Sequence, residues 1–281
     1  MSSACEGCAK AGSCSEQDTC SKKNGIEKLT CNDASSIKCV IGIASGKGGV
    51  GKSFVTASLA SKLAKAGLKV GIMDADITGP SIPRAFGLKG ILEVGGQDRI
   101  LPAVTEGGIK VVSINLLLEQ EDSPVIWRGP VLSGLVRQFW SDVEWGMLDV
   151  LLIDMPPGTG DIPLTLFQSI PLDGLVLVST PQELVSMIVA KAGNMASMMN
   201  VNILGLVENM AYTVCPHCGD KISLFGDDEV LIKEASEAGI AVLDKLPLDP
   251  SITALVDTGK TESVDVSSLL TKTSEAIQAL L

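Results

Sequence analysis

The sequence predicts an α/β fold, a doubly wound and mostly parallel sheet with helices on both faces. Three observations predict it. From Ile37 onward, short runs of Val, Ile and Leu recur, apolar enough to be strands covered on both sides. Apolar residues at helical spacing lie between most of these runs, and that alternation favours parallel pairing through right-handed crossovers. Aromatic residues make up only 3% of the 281-residue chain, so the core must be built from aliphatic side chains.

Residues 1–36 stand apart. They carry Cys5, Cys8, Cys14, Cys20 and Cys31 among Ser, Lys, Asn and Gly, with almost no apolar residues. Such a segment cannot bury a core alone and reads as a flexible tail that a metal would order. Residues 37–281 read as one domain. Ile37 to Ala44 is its first strand. Ser53 to Ala66 is a helix, with Val55, Leu59 and Leu63 on one face and Gly67 as its stop. Lys69 to Met73 is a strand ending at Asp74. Further strands are expected at Ile109–Ile114, Val150–Asp154, Gly174–Ser179, Ile203–Val207 and Ile240–Leu243. Cys39 falls in the first strand and reads as a small core residue.

Composition narrows the functions. A formal charge of −11 repels nucleic acid and anionic lipid, so neither is expected as a main partner. No leader-like apolar run stands near the first residue, and no stretch of about 18 apolar residues predicts a membrane-spanning helix. A cytoplasmic protein is expected. There, clustered cysteines serve as metal ligands more often than as disulfides. A single histidine, His217, argues against His-based triads and multi-His zinc sites.

Gly46-Lys47-Gly48-Gly49-Val50-Gly51-Lys52-Ser53 lies within G-x-x-x-x-G-K-S, after a strand and before a helix, the context a phosphate-binding P-loop requires. Its glycines let backbone N–H groups curl around phosphates, and the helix that runs on through Phe54 points its positive end at them. Lys52 is expected on the β- and γ-phosphates, and the Ser53 hydroxyl on Mg²⁺. Lys47 adds a second charge inside the cradle. After the second strand, Asp74-Ala-Asp76 places Asp76 at the ligand crevice, to orient an attacking water or help position Mg²⁺. Leu151-Leu-Ile-Asp154 is an apolar strand ending in an acid, which puts Asp154 on the Mg²⁺ shell. Pro156 and Pro157 end that strand, and Gly158 and Gly160 permit a switch loop behind it. These parts suffice for a slow ATPase.

Cys215-Pro-His-Cys218 is a C-x-x-C pair in an otherwise Cys-poor domain. Two thiolates in a tight turn grip one metal together, yet a zinc ion or a cubane cluster takes four ligands. A two-fold dimer that shares one cluster between two such pairs would supply them. A thioredoxin-like redox pair and a structural zinc half-site are the competing readings. His217 reads as a solvent-facing turn residue.

Two resemblances sharpen this. Gly46 to Ser53 resembles the deviant Walker A loop of the MinD, ParA, ArsA and nitrogenase iron protein superfamily. There the extra lysine reaches the partner's nucleotide, so the likeness implies for Lys47 a face-to-face homodimer around two ATP molecules. Asp74–Pro83, Val125–Pro130, Trp145–Asp161 and Val207–Gly219 resemble the Mrp/ApbC family of iron–sulfur cluster carriers. That likeness implies a labile bridging 4Fe–4S cluster on Cys215 and Cys218, its transfer to apo iron–sulfur acceptor proteins, and adenine contacts at Asn209 and Pro247. Thr78 stands where many members have tyrosine. Cys5, Cys8 and Cys14 resemble part of the N-terminal cluster motif of the Nbp-type branch, with Cys20 or Cys31 as a possible fourth ligand. Two other functions stay open: a spatial-organiser ATPase of the MinD/ParA kind, and a reductase like the nitrogenase iron protein.

Overall fold

The computed structural model describes residues 28–76, 81–117, 129–158, 160–181, 201–225 and 229–281. Its centre is β1 (Ser36–Ser45), buried from Cys39 to its end. Such a strand must be covered on both faces, and its parallel neighbours are β5 (Met147–Asp154) and β6 (Gly174–Ser179). Outward on one side lie β2 (Val70–Asp74), β4 (Lys110–Ser113) and β3 (Ala103–Val104). On the other side comes β7 (Ile203–Val214), which pairs with both β8 (Lys221–Ile222) and β9 (Val242–Pro247). All pairings are parallel except β3 with β4 and β7 with β8.

The helices gather in two groups. In one, α1 (Lys52–Lys65) packs near α2 (Ile82–Ala85) and the final helix, α7 (Thr271–Gln278). In the other, α3 (Gly129–Ser141) packs on α4 (Asp161–Ser169). Between β8 and α7 the chain also forms α5 (Glu229–Glu237) and α6 (Pro250–Asp257). On α1, Val55, Leu59 and Leu63 are fully buried, as their spacing predicts. Cys39 is a core residue at 1% exposure. Among the described residues, no helix is long and apolar enough to cross a membrane.

Four departures from the sequence reading have physical reasons. β4 stops at Ser113 because Ile114–Leu117 tightens into a 3₁₀ turn. β7 runs seven residues past its expected end at Val207, because pairing resumes beyond an irregularity between Glu208 and Tyr212. β9 runs on to Pro247, later than expected, because its last two partners, Glu208 and Tyr212, sit on that extension. The two-residue strands β3 and β8 are too short to leave a periodic signal.

The described end of the 1–36 segment is docked rather than loose. Leu29 N donates to Ser169 O at 2.8 Å, and Trp140 Nε1 donates to Leu29 O at 2.9 Å. Asn32 Nδ2 donates to the carbonyls of Ser141 and Val143 at 2.9 and 2.7 Å. Leu29 and Cys31 pack on the core. One leucine and one amide thus fasten a polar stretch that composition alone assigns to the tail. Cys5, Cys8, Cys14 and Cys20 lie outside the described residues, as does Thr78.

A backbone crossing fixes α2 against the end of α6. Gly259 has φ +76°, and a Cβ there would stand 2.6 Å from Gly87 Cα and 2.8 Å from Gly87 N. Beside it, buried Thr261 donates through Oγ1 to Ala85 O at 2.5 Å. Only glycine allows the left-handed backbone and the close approach together. Gly259→Ala is expected to destabilise the fold by about 3 kcal/mol, from conformational strain plus a clash with main chain. Gly67→Ala, also at positive φ but with nothing within 4 Å, should cost about 1 kcal/mol. Urea unfolding of both variants checks the difference.

Candidate functional site

The carboxyl ends of the central strands hold the phosphate loop. β1 ends at Ser45, the loop follows, and α1 begins at Lys52. Gly51 caps the helix at φ 78° with no side-chain hydrogen bond, and no acid stands in the first turn. The first amide groups of α1 are therefore available to an anion, at the positive end of the helix dipole. A cleft of about 460 Å³ opens here, lined by every residue from Lys47 to Phe54 and by Asp76, Ser81, Arg84 and Pro157. The sequence-predicted residues Lys47, Gly48, Gly49, Val50, Gly51, Lys52, Ser53, Phe54 and Asp76 thus converge, and Gly46 leads into the loop.

Beneath the cleft, carboxylates surround one buried ammonium. Lys52 Nζ lies 2.8 Å from Asp154 Oδ2 and 3.6 Å from Asp76 Oδ2. Ser53 Oγ donates to Asp154 Oδ2 at 2.7 Å, and Thr56 Oγ1 donates to Asp154 Oδ1 at 2.6 Å. Asp74 is the direct cross-strand neighbour of Asp154 and is fully buried. It accepts from Ser113 Oγ at 3.0 Å and from Asp76 N at 3.2 Å. Burial, and then the Asp154 charge, push the Asp74 carboxyl well above the usual carboxylate range. Of the two, Asp154 is the one in direct contact with the Lys52 ammonium. Ser53, Asp76 and Asp154 offer hard oxygen donors on one side of the cleft, a set that suits Mg²⁺.

Thr56 and Ser113 carry no expected role in the sequence. A signal for Thr56 existed: it stands four residues after Lys52, hence on the same face of α1. Arg84 had none, because only the fold brings α2 to the loop.

A second cleft of about 220 Å³ continues from the first, sharing Gly51, Phe54, Val256 and Asp257 with it. Asn209, Met210, Pro247 and Leu248 also line it, so Asn209 and Pro247 face one cleft. Asn209 is 2% exposed, and its Nδ2 donates to Val50 O at 2.9 Å.

The cysteine pair lies beyond this cleft on the same strand. β7 ends at Val214, the chain turns through Cys215 to Asp220, and β8 returns. Cys215 N donates to Asp220 O and Gly219 N to Cys215 O, both at 2.9 Å. The Cys218 thiol donates to Asp220 Oδ2 at 3.1 Å. The backbone N–H of Cys218, and then that of His217, hold the Cys215 thiol below its ordinary pKa, toward the thiolate that binds metal. His217 is exposed, as expected. Among the described residues, no three His, Cys, Asp or Glu side chains converge to hold a metal ion, so the turn offers two thiols and no more.

Cys31 belongs to the docked segment before β1. It packs against the core, and burial pushes its thiol up to about 11. Burial likewise pushes Cys39 up to about 12. Cys31 thus packs within the docked segment, while Cys5, Cys8, Cys14 and Cys20, the cysteines read alongside it, lie outside the described residues.

Residues 36–281 match the family model described as ParA, NUBPL iron-transfer P-loop NTPase. Curated relatives include an iron–sulfur cluster carrier protein of Clostridium perfringens, 48% identical over 92% of this chain and 93% of its own length. Another, from Methanocaldococcus jannaschii, is 47% identical over 87% of this chain and 85% of its own length. A nucleotide-binding protein of Archaeoglobus fulgidus, solved with ADP, superposes with a TM-score of 0.72 at 46% identity, covering 81% of this chain and 88% of that one. The cell-division ATPase MinD of Pyrococcus furiosus gives 0.61 at 20% identity, covering 87% of this chain and all of that one, a likeness of fold alone.

The loop's fit to its backing strand is testable. A Cβ on Gly51 would stand 2.2 Å from Asn209 Nδ2, on a backbone at φ +78°. Gly51→Ala is expected to weaken ADP binding at least about tenfold by calorimetry, through strain in the loop and displacement of Asn209.

Proposed function

Because the chain belongs to the ParA-type NUBPL iron-transfer P-loop NTPase family, we propose that it is an ATP-dependent carrier of iron–sulfur clusters. On this reading it works as a homodimer, in the cytoplasm, and delivers a labile 4Fe–4S cluster to apo acceptor proteins while hydrolysing ATP slowly. The observation that carries the reading is the placement of two kinds of site on one strand: Asn209 of β7 lines the nucleotide cleft, and Cys215 follows its end.

The amide groups of the loop, with Lys52, grip the β- and γ-phosphates, and Lys47 reaches the nucleotide of the other protomer. Asn209 and Pro247 hold the adenine. Ser53 and Asp154 would hold Mg²⁺, which when bound neutralises charge on the phosphate oxygens. Lys52 adds positive charge where the transition state builds negative charge. Asp76 accepts a hydrogen bond from the attacking water and aims it at the γ-phosphorus; the products are ADP and phosphate. The cluster is cargo. Cys215 and Cys218 of each protomer contribute two thiolates to a shared cage of four. Cys5, Cys8 and Cys14 would serve a second cluster in the N-terminal segment.

Two measurements test the two halves. Lys52→Ala should reduce ATP turnover by about a hundredfold or more, because the buried ammonium is the charge nearest Asp154. Unchanged binding and turnover would remove the ATPase. In anaerobic reconstitution of a chain lacking residues 1–27, Cys215→Ser with Cys218→Ser should lose about four irons per dimer while still binding ATP. If that double variant still accepted cluster and activated an apo-acceptor, the carrier reading would be abandoned.

A further inference from the structure

We infer that Tyr212 is a positioning residue that ties nucleotide occupancy to the setting of the Cys215–Cys218 turn. The inference rests on the nucleotide-binding half of the proposal above, and its consequence for cargo rests on the other half.

β7 passes the nucleotide cleft before it reaches the thiols. Asn209 touches the phosphate loop through Val50 O. At Met210 the backbone takes φ 55°, a left-handed conformation uncommon for a side chain of this kind. There the ladder to β9 breaks, and it resumes at Tyr212 opposite Pro247. Tyr212 O then accepts from Leu248 N at 2.7 Å. Met210, Pro247 and Leu248 all line the nucleoside side of the cleft. The main chain of Tyr212 is thus fastened to the cleft wall.

Its side chain is fastened to the other strand of the hairpin. Lys221 Nζ stands 4.1 Å from the centroid of the Tyr212 ring, a cation–π contact. Lys221 pairs with Val214, and Asp220 beside it closes the turn by accepting from Cys215 N. β8 has only two residues, too few to hold a hairpin firmly by backbone pairing. Val214, Cys218, Lys221 and Ile222 are all exposed. Tyr212 therefore joins the cleft wall, through its carbonyl, to the returning strand, through its ring. A nucleotide that resets Pro247 and Leu248 resets the carbonyl partner of Tyr212, and with it the pose of both thiols. Such a link counts as coupling only if both sites bias the same element, and the hairpin is that element.

Thiol alkylation of the metal-free, full-length chain tests this without any cluster. Iodoacetamide labelling of Cys215 and Cys218, resolved by peptide mass spectrometry, is timed with and without Mg·ADP. In the wild-type chain the nucleotide should change the rate by about fivefold, the low end of ordinary coupling between sites. Tyr212→Phe, which keeps the ring, should preserve the ratio. Tyr212→Ala should bring it to unity while ADP affinity by calorimetry stays unchanged, since Tyr212 does not line the cleft. Should Tyr212→Ala fail to fold, Lys221→Gln serves instead and should at least halve the ratio. A wild-type ratio of unity, or a wild-type ratio retained in the folded Tyr212→Ala or Lys221→Gln chain, overturns the inference. Because the readout contains no iron, that result leaves cluster carriage standing, and failed reconstitution leaves this result standing.

Discussion

The site is organised around the carboxylate of Asp154. It is fully buried, yet three donors from one helix turn answer it: Lys52 Nζ, Ser53 Oγ and Thr56 Oγ1. A charge placed so deep is tolerable only with such partners. Parallel pairing of β1 with β5 sets Asp154 opposite Ile43, two residues before the phosphate loop begins to bend away. The register of two central strands therefore fixes where the loop's lysine and serine point. Asp74, in register on the next strand, completes the arrangement: burial and then the neighbouring Asp154 charge push its carboxyl well above the usual carboxylate range.

What the sequence discloses is what local chain geometry determines. The strand, the loop and the helix that follow one another from Ile37 to Ala66 are contiguous, and the spacing of Gly46, Lys52 and Ser53 is itself the structure. Asp154 was equally visible, since an apolar run ending in an acid needs only one strand to be recognised. Thr56 and Ser113 were not, because each matters through a carboxylate 98 and 39 residues distant. Likewise Arg84 and Val256 reach the cleft only through the docking of α2 against α6, and that docking depends on two glycines meeting. Composition misjudged residues 28–36 for a related reason. The main chain of Leu29 and the side chains of Asn32 and Ser35 do the fastening, and a few specific bonds leave no trace in an average.

β7 shows how an irregularity extends an element. An uninterrupted ladder would have kept the strand flat past the nucleotide cleft. The break at Met210 instead lets Asn209 sit beneath the phosphate loop while Tyr212 regains its partner on β9. The sequence Val-Glu-Asn-Met-Ala-Tyr mixes polar and apolar residues without a period of two, which is why periodicity ends the strand at Val207.

If the proposed cage is shared between protomers, a turn that brings two sulfurs makes loading a matter of encounter between chains. On the proposed reading, the filled form requires two molecules, so its share of the total rises faster than abundance does and collapses on dilution. A scarce population of this protein would stand mostly empty even where iron and sulfide abound. Cellular copy number would then act as a threshold on delivery, independent of any change in the strength with which each sulfur holds its metal.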